Sequence, residues 1–229
     1  MKPSSIVGLI TSLCLSLAAS AAETAYKPGT YQIDPIHSKI GFEIPHLVIS
    51  TVDGRFQTFD GTVSMDPRFE KSSVKAVVQV TSVDTGNPKR DDDLRGPDFF
   101  DAGKFSKMTF ETKSISGTPQ AFKLVGNLTI KGVTNPVTFE GKYLGSVNDG
   151  AGSDKVAFTA YASVKRSSFG LKWNKMIEAG PVVGDNLTIQ LRIQAAKPAT
   201  VTPKPVAPKG PAAPVAPATP AAPVPAIKK

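Results

Sequence analysis

Leu187-Thr188-Ile189-Gln190-Leu191-Arg192-Ile193-Gln194 puts an apolar side chain at every odd position and a polar one at every even position. Successive side chains of an extended chain point to opposite faces, so this stretch reads as a β-strand with one apolar and one wet face.

The same period recurs upstream. Val156, Phe158, Ala160, Ala162 and Val164 share a face, as do Val137, Phe139 and Tyr143, and Phe122, Leu124, Leu128 and Ile130. Met108 and Phe110 stand opposite Lys107, Thr109 and Glu111, and Val74, Ala76, Val78 and Val80 opposite Lys75, Gln79 and Thr81. Val63 and Met65 continue the pattern, and Ile36, Ile40, Phe42 and Ile44 line a face opposite His37, Lys39 and Glu43. Turn formers such as Asp60-Gly61, Asp66-Pro67, Ser116-Gly117, Asn148-Asp149-Gly150 and Gly184-Asp185 separate these runs. Short connections favour antiparallel neighbours, and a sheet of about eight strands with a single apolar face must pack on another sheet or close on itself. The pattern predicts an all-β antiparallel fold, either two packed sheets or a barrel; closure into a barrel of about eight strands leaves an interior that side chains fill or that holds one small ligand.

One stretch breaks the period. Asn87-Pro88-Lys89-Arg90-Asp91-Asp92-Asp93-Leu94-Arg95 predicts a short helix, with Asn87 as cap, Pro88 at the first helical position and Asp91 placed to pair with Arg95. After Gly96-Pro97, Phe99 and Phe100 are expected to cap the sheet.

The two ends have a different composition. Residues 1–22 carry Lys2, an uncharged run Ile6–Ala19 and small residues at 19–22, which predicts a secretory signal peptide and a periplasmic or secreted location in a bacterial envelope. The one cysteine, Cys14, lies in that run, so disulfides and thiol chemistry are not expected after cleavage. Residues 198–229 hold ten of the 20 prolines and no aromatic residue, and read as a disordered Pro/Ala/Lys-rich tail. The net charge of +8 shrinks with this division: residues 23–197 carry 22 basic and 19 acidic residues, too balanced for a nucleic-acid binder.

Polar chemistry is sparse. His37 and His46, with Glu43 between them, make an incomplete ligand set for a metal. Asp34, His37 and Ser38 read as too far apart along an extended strand for a relay, so no catalysis and no cofactor are expected. Asp91, Asp92 and Asp93 lack a calcium-loop pattern and read as a solvated helix start. Arg90, Arg95 and Arg166 either gather an anionic headgroup at the barrel mouth or pair with nearby aspartates.

Several motifs in order resemble the YceI-like family, polyisoprenoid-binding envelope proteins with a lipocalin-like barrel. Tyr31-Gln32-Ile33-Asp34-Pro35-Ile36-His37-Ser38 resembles its opening strand; Gly54-Arg55-Phe56, Val83-Asp84-Thr85, Arg90-Asp91 and Asp98-Phe99-Phe100-Asp101 follow. Gly126-Asn127-Leu128-Thr129-Ile130-Lys131-Gly132-Val133-Thr134-Asn135-Pro136-Val137 is the most specific match, and Arg166-Ser167-Ser168-Phe169-Gly170 and Val183-Gly184-Asp185-Asn186 complete the set. Asp93 stands where many relatives carry histidine, and Ser106 where proline is usual.

The resemblance implies an interior that takes a long isoprenoid chain, such as an isoprenoid quinone or polyprenyl lipid, or a similar amphiphile. The implied wall comprises Ile40, Phe42, Val78, Met108, Phe110 and Leu128, continued by Phe139, Phe158, Ala160, Ile189 and Leu191. Phe99, Phe100, Phe169 and Trp173 are the implied gate, and the small residues Ala76, Gly126, Gly141, Ala160 and Ala162 fit an open channel. A filled core stays open as the alternative. In that case the chain is an envelope interaction protein whose basic tail touches a membrane surface or cell wall. The pattern leaves the oligomeric state open, a homodimer included.

Overall fold

The computed structural model describes residues 26–150, 152–178 and 180–197; the expected signal peptide and tail lie outside the described residues. In chain order come strands β1 (Gly29–Ile33), β2 (Lys39–His46), β3 (Ser50–Phe56), β4 (Phe59–Met65), β5 (Ser73–Gln79) and β6 (Val83–Asp84), then helix α1 (Pro88–Arg95). There follow β7 (Lys107–Thr118), β8 (Ala121–Ile130), β9 (Val133–Asn148), β10 (Asp154–Lys165), the two-residue β11 (Met176–Ile177) and β12 (Gly180–Pro181), and β13 (Asn186–Ala196).

The expected closure is present. Eight antiparallel strands run β1-β4-β5-β7-β8-β9-β10-β13, and the pairs Gln32↔Ala196 and Ile33↔Ala195 join the last to the first. One edge of β13 is shared: its end pairs with β1, while Thr188–Arg192 pair with β2, from which β3 and β6 branch. The alternation read from the sequence sorts as expected, with apolar stripes inward. Outward-facing Lys75 and Glu111 stand directly opposite on β5 and β7 and bond at 2.7 Å. A lipid-embedded barrel carries the reverse arrangement.

Two bulges keep the long strands in step. Between Thr112 and Ser114 the β7–β8 register shifts, which turns Ile115 inward, and the Thr112 hydroxyl bonds both the N–H and the carbonyl of Val74. In β9 the register passes from Gly145, opposite Ala157, to Tyr143, opposite Phe158, so Leu144 is the extra residue of the bulge and is half-exposed.

Helix α1 starts as predicted, with Asn87 Oδ1 accepting from the Arg90 N–H at 3.2 Å and Pro88 in the first turn. Its charges are arranged differently. Asp91 is buried and accepts from the N–H and hydroxyl of Thr85, at 2.9 and 2.6 Å. Arg95 therefore pairs with Asp92, at 2.8 Å, and not with Asp91.

The stretch before β2 also departs from expectation. Asp34-Pro35-Ile36-His37 forms a bend, because Asp34 Oδ1 accepts from the Ile36 N–H, and Ile36 is 85% exposed instead of sharing the face of Ile40. The bend brings His37 Nδ1 within 2.7 Å of Asp34 Oδ2, where an extended strand would have separated them. Ser38 is still no part of a relay: its hydroxyl bonds the backbone N–H and carbonyl of Gln194.

Candidate functional site

The inward stripes enclose an apolar cavity of about 760 Å³, within the range of about 300–1,000 Å³ common for small-molecule sites. Ile40 and Phe42 of β2, Val78 of β5, and Met108 and Phe110 of β7 form part of the wall. Leu128 of β8, Phe139 of β9, Phe158 and Ala160 of β10, and Ile189 and Leu191 of β13 complete the positions expected from sequence. The alternative of a filled core does not hold for this barrel. Many of these side chains are only partly buried even though they point inward, because they border the cavity.

The small residues act differently from expectation. Gly126 and Gly141 do not leave a channel open: a Cβ on Gly126 would lie 2.2 Å from the Phe110 ring, and one on Gly141 2.6 Å from the Phe122 ring. Each glycine makes room for a phenylalanine ring from a neighbouring strand, which lets the ring lie close against the backbone of the wall. Ala162 is buried outside the cavity, whereas Ala76 and Ala160 do line it.

The cavity has a floor and a mouth. At the floor Phe69, from the β4–β5 connection, packs on Phe122 at 5.5 Å and on Tyr26 at 5.8 Å, with Tyr26 edge-on to Tyr143. The Tyr26 hydroxyl donates to the Asp66 carbonyl at 2.6 Å, and burial pushes its pKa up, so it stays a donor. Below, Asp154 bonds both Lys27 and Lys197, at 3.0 and 2.9 Å, tying the entry to β1 to the exit from β13. Phe69 carried no strand signal; its place was hidden in a short 3-10 turn.

At the mouth, Phe99 and Trp173 pack with ring centroids 5.0 Å apart and planes tilted by 42°, and Phe100 meets Phe56, which in turn meets Phe42 of the wall. Phe169 is buried to 2% exposure, so it is a fixed wall of the mouth and not a movable gate.

The three arginines separate. Arg166 is buried, and its guanidinium donates to the carbonyls of Gly184, Leu171, Trp173 and Val183. Burial lowers its pKa and the nearby Asp185 charge raises it. It is engaged in holding Leu171, Trp173, Val183 and Gly184, neither paired on the surface nor free for a headgroup. Arg95 faces away from the cavity, donating to the Thr81 and Val83 carbonyls. Arg90 lines the mouth; its Nε and Nη2 bond Thr85, and Nη1 has no bond among the described residues. Asp92, Asp93 and Asp98 complete this polar rim.

Known proteins share this architecture. A UPF0312 protein of Vibrio parahaemolyticus is 34% identical over 196 residues, covering 83% of this chain and 95% of that one. The crystal structure of BcnA from Burkholderia cenocepacia matches 71% of the chain and 99% of its own with a TM-score of 0.62 and 25% identity. A polyisoprenoid binding domain from Saccharophagus degradans, implicated in plant cell wall breakdown, shares the fold with a TM-score of 0.54 over 75% of this chain and all of its own, at 16% identity. The model of the YceI-like domain matches residues 31–195, from the first barrel strand to the last, and the chain belongs to this family.

Proposed function

We propose that this protein holds a long isoprenoid-type chain, an isoprenoid quinone or polyprenyl lipid, in the barrel cavity for carriage, storage or sequestration. The carrying observation is a cavity of about 760 Å³ with an almost wholly apolar lining, with packed aromatic rings at its floor and Phe99, Phe100 and Trp173 at its mouth. Each methylene buried there contributes about 0.8 kcal/mol, so a long chain gains affinity without a polar recognition motif. The Saccharophagus degradans domain, named for polyisoprenoid binding, supports the same ligand class.

A headgroup would stop at the mouth, where Arg90 Nη1 is available, while Arg95 and Arg166 are engaged with backbone carbonyls. Phe99, Phe100 and Trp173 would close over the chain. The work is binding and not catalysis, and residues 1–22 favour a periplasmic or secreted setting.

Ala160→Phe tests the reading. In a filled core the added ring would be destabilising by about 1–3 kcal/mol. Facing a cavity, it should leave the melting temperature within about 2 °C of the parent and weaken binding of a long-chain isoprenoid quinone, followed by native mass spectrometry, about tenfold or more. Unchanged quinone binding, or none by the parent chain, would overturn the proposal.

A further inference from the structure

The mouth carries apolar side chains that neither the cavity nor the core uses. The β2–β3 hairpin ends in Leu47-Val48-Ile49, with Val48 62% and Ile49 89% exposed. Beside it stands the small β11–β12 hairpin, joined to the first by the Leu47 N–H to Val182 carbonyl bond and by the His46↔Val183 bridge. Its Met176 is 70% exposed and Ile177 40%, and Trp173 leads into it. Four of the ten exposed large apolar residues among the described residues thus lie in two touching hairpins at one end of the barrel, and a fifth, Trp173, stands just before the second.

The turn chemistry makes this more than a chance cluster. Leu47 and Val48 have φ of 52° and 67°, the left-handed region in which glycine and asparagine are at ease and β-branched residues are strained. A tight exposed turn in water would be better made from Asn-Gly. Here Leu47 is half-buried, but Val48 is held in the strained turn and, with Ile49 beside it, faces solvent, a combination that costs folding stability.

We propose that these two hairpins seat the mouth on a phospholipid bilayer, with Val48, Ile49, Met176 and Ile177 entering the headgroup–acyl boundary. Two observations favour a bilayer over a protein partner. The patch is continuous with the cavity, since Ile44, Pro45, Val182 and Val183 line the mouth directly behind it. A lipid could therefore pass from bilayer to barrel without crossing water. Lys172 and Lys175 flank the apolar tips, with Glu178 the one acidic side chain in that segment, a balance suited to anionic headgroups. The docking face rests on the lipid-binding reading above for its purpose, though not for its geometry.

Trp173, the one tryptophan of the chain, lies in the patch and reports on it. Vesicles of phosphatidylcholine with phosphatidylglycerol should shift its emission to the blue and carry the protein in flotation, more weakly when phosphatidylglycerol is left out. The double variant V48N/I49N should lose vesicle affinity about tenfold or more. It should melt no lower than the parent, because asparagine tolerates the left-handed turn. Its uptake of isoprenoid quinone from detergent micelles should be unchanged, which separates failure of docking from failure of the cavity. Equal flotation of parent and V48N/I49N would place the attachment elsewhere, on the basic tail for example, and overturn the proposal. So would absence of vesicle binding by the parent. Self-association abolished by V48N/I49N, without vesicle binding, would assign the face to a second copy and overturn it too.

Discussion

The floor and mouth of this barrel are built from the same residue types under opposite rules. At the floor the rings pack on one another and the first and last strands are tied: Tyr31, Val156 and Ala195 are essentially inaccessible, and Asp154 bridges Lys27 and Lys197. At the mouth the rings of Phe99, Phe100 and Trp173 meet at the edge of the cavity. Two bulky residues there sit in a left-handed turn that costs about 1–3 kcal/mol each. Stability is concentrated at one end so that the other can be open, strained and apolar, as a site that admits a long chain requires.

One residue stands against that division, and removing it should have the largest effect. Arg166 is the buried anchor of the mouth, holding four carbonyls from Leu171 to Gly184. Arg166→Met takes the guanidinium donor from the carbonyls of Gly184, Leu171 and Trp173, while Val183 keeps its bond from Asn174 Nδ2, and a buried unsatisfied group costs about 1–3 kcal/mol. A total loss of roughly 3 kcal/mol or more, about 10 °C in melting temperature, is expected. Hydrogen exchange would show where it falls. Residues 171–178 and 180–184 should lose protection while β1 and the end of β13 keep theirs; uniform loss across the barrel would erase the distinction between the two ends.

Acid offers a second, intermediate probe. Hydrogen bonds from Lys197, Lys27 and Asn148 hold the Asp154 carboxyl far below its ordinary value. At the mouth the Ser167 hydroxyl and N–H hold Asp185 down against the opposing effect of burial. A depressed folded pKa contributes stability that is present above the unfolded value of about 4 and is lost as pH falls through the folded one. The melting temperature should therefore drop between about pH 5 and pH 2. Asp154→Asn should lower it at neutral pH and flatten that acid limb more than Asp185→Asn does. Equal flattening by the two would mean that floor and mouth are equally dependent on their carboxylates.

The sequence was informative where a rule is local and periodic. Alternation from Ile40 through Ile193 identifies the wall, because in a barrel inward and outward faces differ all along each strand. It could not show that Asp34 folds the following three residues into a bend, which sends Ile36 outward and brings His37 to the carboxylate. Nor could it show partners chosen by long-range approach. Asp91 belongs to Thr85 and not to Arg95, and Arg166 serves carbonyls up to 18 residues away. Gly126 and Gly141 illustrate the limit best. Their smallness was plain, but whether it made an opening or a seat for a ring depended on which phenylalanine the register set beside each.

The smallest effect on stability should come from the gate itself. Phe99 packs on Trp173 at the edge of the mouth, and an aromatic pair contributes about 0.5–1.5 kcal/mol beyond its buried area. Phe99→Ala should therefore lower the melting temperature by only a few degrees, about the loss of that pair. Its effect on a bound isoprenoid should be larger and kinetic. With the ring absent, quinone release followed by Trp173 fluorescence should accelerate about tenfold while uptake changes less, since affinity differences within one site reside mostly in the off-rate. Release at the parent's rate would mean that the Phe99–Trp173 pair does not cover the occupied mouth, and that retention rests on the wall alone.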